Sequence, residues 1–313
     1  MRKLIGYWRG TNDWLKALVI AFAVLGFVHA FVLRWVTVRS SSMYATLYSG
    51  DLVGVTKWPL WTGFERGDVA VFRDPMQDDR SMARRQLLVK RIVGLPGDKV
   101  ELRSGQLFVN GKRLPDFPQE TRSWLLQFKN GTDIQALLRS IGLPPAYEIS
   151  GRNEIELPLN EELVARLRNV PGVLALEPLR LATGSPGNIF PYSPKYHWNA
   201  DDFGPLAVPY KGEEIQVDVD NLALYDRLIA RYEGNKLEAA AENMLLNGAP
   251  LDKYTIKHDY YLVLGDNRHY SSDSRYWGFV PADHLVGRAS FVLVSNDPVS
   301  GKIRGVRWFT GIP

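Results

Sequence analysis

Seventeen consecutive residues, Ala17 to Leu33, carry no charge, and His29 is the only strongly polar side chain among them. An ordinary surface helix keeps a polar face, which this run lacks. Trp14 and Trp35 flank it, and at 1.5 Å rise per helical residue they would stand roughly 32 Å apart, close to the hydrocarbon thickness of a bilayer. Aromatic rings at both ends suit the two interfaces. The expectation is a single transmembrane helix over residues 14–36. Four basic residues precede the run, and only Arg34 and Arg39 follow it closely. That bias puts residues 1–13 in the cytoplasm and the rest of the chain outside, periplasmic or extracellular. Two other readings compete. A cleavable leader has the same basic start, with Val28-His29-Ala30 a poor small-x-small site. A buried core helix would be expected to show a polar face.

The charge of the chain sits at that end. Residues 1–40 hold six basic residues and one acidic, while the remaining 273 carry 32 basic and 33 acidic. A nucleic-acid-binding domain concentrates basic charge on its folded part, so no nucleic-acid partner is expected. The absence of cysteine excludes a disulfide framework, a thiolate metal site and a Cys nucleophile.

After the apolar run, short apolar segments recur between Gly, Pro and Asp punctuation: Asp51–Thr56, Val69–Phe72, Leu87–Val93, Lys99–Leu102, Gln106–Val109, Tyr260–Leu264 and Ala289–Val294. Such segments predict a mostly β, antiparallel domain. Helices are expected only in the middle, at Asp133–Ile141 behind Thr132 and before Gly142, at Glu161–Arg168 behind Asn160, and at Leu222–Tyr232 behind Asn221. Gly97-Asp-Lys-Val-Glu101 followed by Asn110-Gly111 is echoed at the same spacing by Gly234-Asn-Lys-Leu-Glu238 and Asn247-Gly248. Two similar hairpins with Asn-Gly turns explain the echo. The Trp58–Phe64 loop, with three large aromatics, suits either a membrane interface or ordinary packing.

Several chemistries are missing. The chain has no Gly-x-Ser-x-Gly elbow, no His-Glu-x-x-His, no Walker loop and no Ser-x-x-Lys. His197, His258, His269 and His284 lie in no recognised hydrolase or zinc spacing. Three stretches instead crowd polar groups beside tight turns: Arg39–Leu47, Leu87–Asp98 and Leu264–Phe279. Within the second, Lys90 alternates with Leu88 and Ile92, and Arg91 with Val89 and Val93, so one of the two cations must meet an apolar face. Periodicity does not choose between them. Chemistry does, because arginine stays charged whereas a desolvated lysine loses its proton readily. Bringing a lysine from about 10.4 to about 7–8 takes roughly 3–5 kcal/mol, within what burial supplies.

In order, these stretches resemble the signature boxes of type I signal peptidases, the membrane-bound serine proteases that remove signal peptides from exported precursors. Ser40-Ser-Ser42-Met43 through Thr46-Leu47 resembles the nucleophile box, and Gly67–Phe72 the strand box after it. Lys90-Arg91 through Gly94 and Pro96-Gly-Asp98 resembles the lysine box, and Gly265-Asp-Asn-Arg268 through Ser271, Asp273-Ser-Arg275 and Gly278 the last. The likeness covers residues 37–114 and 256–290 together with the expected membrane helix; the middle lobe resembles the family only loosely, through Trp198–Gly204 and Tyr232–Asn235.

The resemblance implies that Ser42 is the nucleophile and Lys90 the general base. It implies that Ser271 orients the lysine amine, that the Ser40 hydroxyl and the Ser42 backbone N–H form an oxyanion hole, and that Asp266, Asp273, Arg91 and Arg275 form structural ion pairs. No metal or cofactor is implied. The implied partners are signal-peptide-bearing precursors and the lipid bilayer of the cell inner membrane, with substrate added as an extended strand to a sheet edge. Ala45 stands where the family usually has proline, Arg39 where another proline often precedes the box, and Ser41 where glycine is common. The expected organisation is a cytoplasmic N-terminus (1–13), the transmembrane helix (14–36), a catalytic domain in two parts (37–114 and 256–313) and an inserted α+β lobe (115–255). Two alternatives stand beside this: a non-catalytic membrane-anchored binding protein of the same fold, and a serine hydrolase with His269 as base.

Overall fold

The computed structural model describes residues 12–140, 153–239 and 244–313. Most of the expected cytoplasmic segment, with Ile141 and Gly142 of the first expected middle helix, lies outside these. In chain order the strands begin with β1 (Leu33–Thr37), β2 (Asp51–Thr56), β3 (Val69–Arg73), β4 (Leu87–Gly94), β5 (Lys99–Arg103), β6 (Gln106–Val109) and β7 (Lys112–Arg113). The middle of the chain adds β8 (Arg122–Phe128), β9 (Glu154–Leu159), β10 (Val173–Pro178), β11 (Phe203–Ala207) and β12 (Glu214–Gln216). There follow β13 (Leu237–Ala239), β14 (Met244–Leu246), β15 (Ala249–Leu251), β16 (Lys253–Thr255), β17 (Tyr260–Leu264), β18 (Val280–Pro281) and β19 (Leu285–Ser295).

The main sheet runs β1-β2-β19-β3-β4-β17-β18 and is antiparallel throughout. The mostly β expectation therefore fits. β2 and β4 are central strands, which is why their sequences read as near-continuous apolar runs rather than alternations. Gly54 of β2 has to be glycine for a specific reason: a Cβ there would lie 2.4 Å from the Phe291 ring of β19. One face of the sheet builds a core from Val36, Val53, Val55, Val71 and Val292, closed by Met43 and Leu47.

The transmembrane expectation is corrected. Helix α1 spans Asp13–Phe27, with Asn12 capping its start through the Trp14 N–H. A π-turn (Val28–Val32) then ends it, and Leu33 already pairs with Thr56. Fifteen α-helical residues rise about 22 Å, short of the roughly 30 Å of a hydrocarbon core. No helix among the described residues is long and apolar enough to cross a membrane. The chain leaves the helix because β2 offers a partner: the Lys57 N–H takes the Val32 carbonyl at 3.0 Å, and Lys57 Nζ takes that of His29 at 3.0 Å. Trp35 packs edge-on against Phe291, with ring centroids 5.9 Å apart. The orientation inferred from flanking charge presupposed a spanning helix, which the described residues do not supply. The exposed apolar side chains of α1, among them Leu18, Phe22 and Leu25, nevertheless face no protein core.

A second core is built mainly from residues 124–176. Past the one-turn helix α2 (Pro59–Thr62) of the first part of the chain, β8 is the centre of a three-stranded sheet with β10 and β9 on its flanks, covered by helices α3 (Ile134–Ser140) and α4 (Glu161–Leu167). Asn160 caps α4 by accepting from the Leu163 N–H at 2.9 Å. For α3 the capping side chain is Asp133, one residue later than the expected Thr132, accepting from the Ala136 N–H. The expected helix at Leu222–Tyr232 is α-helical to Arg227 and a π-turn from Leu228.

The echoed segments fold alike, as β5-β6-β7 and β13-β14-β15. In each, the turn asparagine has positive φ (Asn110 52°, Asn247 53°), and its side-chain oxygen accepts from the N–H of Lys99 or Lys236. The Trp58 loop divides: Phe64 is buried against Tyr261, whereas Trp58 and Trp61 are exposed, with the Arg288 guanidinium over Trp58.

Candidate active site

Three segments far apart in sequence meet at the middle of β4, around Lys90 and Arg91. The first is the turn after β1. The Tyr44 N–H donates to the Ser41 carbonyl and the Leu47 N–H to that of Met43, folding residues 41–47 back on themselves. Met43 and Leu47 are fully buried in the sheet core and anchor this turn from both sides of Ser42. The second is β4, which carries Lys90 and Arg91. The third is the loop after β17, from Gly265 to Arg275.

Lys90 Nζ donates a short hydrogen bond to Ser42 Oγ. Both residues are buried, Lys90 4% and Ser42 7% exposed. Burial disfavours the ammonium and brings the Lys90 pKa down to about 8, with the Arg275 cation acting in the same direction and the Asp273 and Asp266 carboxylates opposing it. Ser40 Oγ lies 3.1 Å from Ser42 Oγ, on an exposed residue. A serine hydroxyl hydrogen-bonded to an amine that can give up its proton near neutrality is the arrangement that a nucleophile and its base require.

Arg91 behaves differently, although it too is buried. Its guanidinium grips the Asp266 carboxylate at 2.8 and 2.7 Å, and donates to the carbonyls of Gly67 and Pro313. Asp266 in turn accepts from the Thr46 hydroxyl, so the ion pair also holds the nucleophile turn. Alternation required one of the two cations to meet an apolar face; the structure buries both and separates them by partner. A second buried pair joins Arg275 to Asp273 at 2.8 Å, and Asp273 accepts from the Gly265 N–H at 3.0 Å. Burial would raise the Asp273 carboxyl, but Arg275 beside it holds it below the usual carboxylate range.

Ser271 is buried in the same place, with its side chain against Gly265. Among the described residues its hydroxyl has no hydrogen-bond partner, and the Lys90 amine is directed to Ser42 rather than to it. His269 lies outside the cluster: its Nδ1 accepts from the Ser123 N–H, which leaves Nε2–H facing Asp201 Oδ1, both at 2.9 Å. With both ring nitrogens engaged, His269 has none to offer Ser42. The cavity of about 370 Å³ lined by Trp124, Leu179, Asp201 and His269 contains neither Ser42 nor Lys90.

Sequence reasoning passed over Asn267. Its backbone N–H donates to the Ser42 carbonyl and its side-chain amide to that of Ser41, both at 3.1 Å. It also passed over Tyr44, which leaves the site for the core of the inserted lobe. Both stand inside the boxes already singled out, so their position was the available signal.

The model of the family "signal peptidase, peptidase S26" matches residues 11–138 and 207–294. Signal peptidase I P of Bacillus subtilis subsp. natto is 37% identical over 102 residues, which are 32% of this chain and 51% of that protein. Signal peptidase IB of Staphylococcus aureus is 35% identical over 135 residues, 43% of this chain and 65% of that protein. The chain thus spans between half and two thirds of the length of these curated relatives. A crystal structure of a signal peptidase I from Enterococcus faecalis V583 aligns over 72% of this chain and 96% of that one, at 20% identity and a TM-score of 0.26.

Proposed function

The chain belongs to the signal peptidase family, peptidase S26, and from that premise we propose that it is a serine endopeptidase that removes N-terminal signal peptides from exported precursor proteins. The observation that carries this reading is the hydrogen bond from buried Lys90 to buried Ser42.

In this mechanism neutral Lys90 takes the Ser42 proton as Oγ attacks the scissile carbonyl. The Ser42 N–H and the Ser40 hydroxyl hold the oxyanion, and the lysine delivers its proton to the leaving amine. Lys90 next takes a proton from the water that hydrolyses the acyl-enzyme. At that stage Ser42 Oγ is part of an ester, and the unpaired, buried Ser271 hydroxyl is available to orient the amine. These steps need no metal or cofactor.

The sheet has room for an extended substrate. Among the described residues β1 pairs only with β2, and β17 meets β4 only from Arg91 onward, so Leu87–Val89 keeps one edge with no partner among them, near the site. A precursor strand can add there, its small side chains on the valine-rich core around Val36 and Val38. The exposed apolar face of α1 and exposed Trp61 support association with a bilayer surface, where tethered precursors reach a high local concentration.

The test is cleavage of a signal-peptide-bearing precursor in detergent by wild type, Ser42→Ala and Lys90→Ala. Cleavage at the junction by wild type, lost in both variants, supports the reading. No cleavage by wild type leaves a non-catalytic binding protein, and retention of activity by Lys90→Ala moves the base elsewhere.

A further inference from the structure

The turn bearing Ser42 contains a residue in an unfavourable conformation. Ala45 has φ 63°, in the left-handed region that costs an ordinary L-residue roughly 1–2 kcal/mol. Proline, with φ held near −65°, could not stand there. Such a conformation persists only when its surroundings over-determine it. Met43 and Leu47 are sunk in the main sheet's core, and Thr46 is bonded to Asp266.

Tyr44 points elsewhere. Its ring is buried in the cluster of the inserted lobe, with Leu126 and Phe128 of β8, Ile155 and Leu157 of β9, and α3. Among the described residues it is the one buried member of that cluster from outside residues 126–167, with Ala45 and Tyr48 packed against its edge. The lobe reaches the nucleophile by a second route as well. Thr121, just before β8, donates its N–H to the Asp266 carbonyl and accepts from the Arg268 N–H, bracketing the Asn267 that holds the Ser41 and Ser42 carbonyls.

We propose that the inserted lobe is a positioning element of the active site and that Tyr44 is the positioning residue through which it acts. With its ring fixed in the lobe, Tyr44 sets the path of the backbone that aims Ser42 Oγ at Lys90 and the Ser42 N–H at the oxyanion. This rests on the Ser42–Lys90 reading, and the experiment separates the two. Precursor cleavage and hydrogen–deuterium exchange are measured on the full chain for wild type, Tyr44→Ala, Tyr44→Leu and Tyr44→Phe. Tyr44→Ala is expected to lower kcat by about 10²-fold, the scale of a misplacement of about 1 Å, with KM changed less than about threefold. Tyr44→Phe, which keeps the ring, is expected to restore most of kcat, with Tyr44→Leu between them. Exchange in the peptide covering residues 40–47 should rise in Tyr44→Ala while the β2–β19 peptides stay protected. Unchanged kcat or unchanged exchange at 40–47 would overturn the proposal, as would a loss of protection throughout the sheet in both Tyr44→Ala and the milder Tyr44→Leu. Should wild type fail to cleave, the activity reading falls, while exchange still decides whether the lobe holds the turn.

Discussion

Lys90 and Arg91 are neighbours on β4 and both are buried, yet Arg91 is clamped by Asp266 whereas Lys90 has the neutral hydroxyl of Ser42. A charge without a carboxylate in a dry wall is disfavoured, and for lysine the protein relieves this by losing the proton.

The first prediction concerns pH. With the Lys90 pKa at about 8, kcat/KM should rise through an apparent pKa near that value, because only the neutral amine can act as base. The same shift affects stability. The folded pKa lies below the unfolded one, so the unfolded chain binds more protons between about 8 and 10.4, and stability rises with pH across that window. Below it, Lys90 costs about 3 kcal/mol. Lys90→Met should therefore abolish cleavage yet unfold at higher temperature than wild type at pH 7, with the gap closing by pH 10.5. Thermal melts of both chains at the two pH values check this.

The second prediction concerns Asp273. Its charge is the largest influence holding the Lys90 pKa up, against burial and Arg275. Asp273→Asn should shift the acid limb of the activity profile to lower pH, since burial and Arg275 would then be opposed only by the weaker influence of Asp266. It should also cost about 3–5 kcal/mol, the usual consequence of leaving one buried partner uncompensated. A pH–rate profile with a denaturant titration separates the effects; a limb that moves to higher pH would contradict the assignment.

How much of this was legible from the residues can be seen at particular places. The strands at Asp51–Thr56, Gln106–Val109 and Tyr260–Leu264 form over the expected residues, because apolar β-formers between turn residues have few alternatives. The N-terminal helix was legible as a helix but not in its length. Apolar composition reports what a segment avoids; it does not reveal that Leu33 will find Thr56 as a strand partner. The lobe strands β8, β9 and β10 were missed because Arg122, Glu154, Glu156 and Glu177 interrupt their apolar pattern, and the lobe's own cluster supplies the burial that decides. The meeting of Ser42 with Lys90 could be inferred only from the resemblance, since their contact spans 48 residues of chain.

The third prediction tests the rival base. His269→Ala should leave kcat within about tenfold of wild type, because general bases contribute about 10²–10⁴-fold and both nitrogens of this ring are already engaged. Its cost should appear in stability, about 1–3 kcal/mol for the Ser123 N–H left unpaired and the Asp201 carboxylate left with the Leu181 N–H but without the ring. Burial would raise the Asp201 carboxyl, yet the His269 hydrogen bond and the Leu181 N–H hold it low. That stabilisation is present above the unfolded carboxylate pKa of about 4 and is lost as pH falls below it. The variant should therefore acid-unfold at higher pH than wild type. A fall in kcat beyond 10³-fold would return His269 to the mechanism.

The fourth prediction concerns the spacing between Ser42 and Ser271, which Gly265 sets. A Cβ on Gly265 would lie 2.2 Å from Ser271 Oγ and 2.5 Å from the Ser42 carbonyl oxygen. The Ser271 hydroxyl can rotate away, but the Ser271 Cβ, also 2.5 Å from the new carbon, and the Ser42 carbonyl cannot yield without moving their backbones. Gly265→Ala should therefore lower kcat by about 10²-fold, and adding Ser271→Ala should not restore it. Gly305→Ala, at a position with nothing within 4 Å of the new Cβ, serves as the control and should match wild type. Rescue by the double variant would locate the clash at the Ser271 hydroxyl alone and show that the Ser42 backbone has more freedom than its bond to the Asn267 N–H implies.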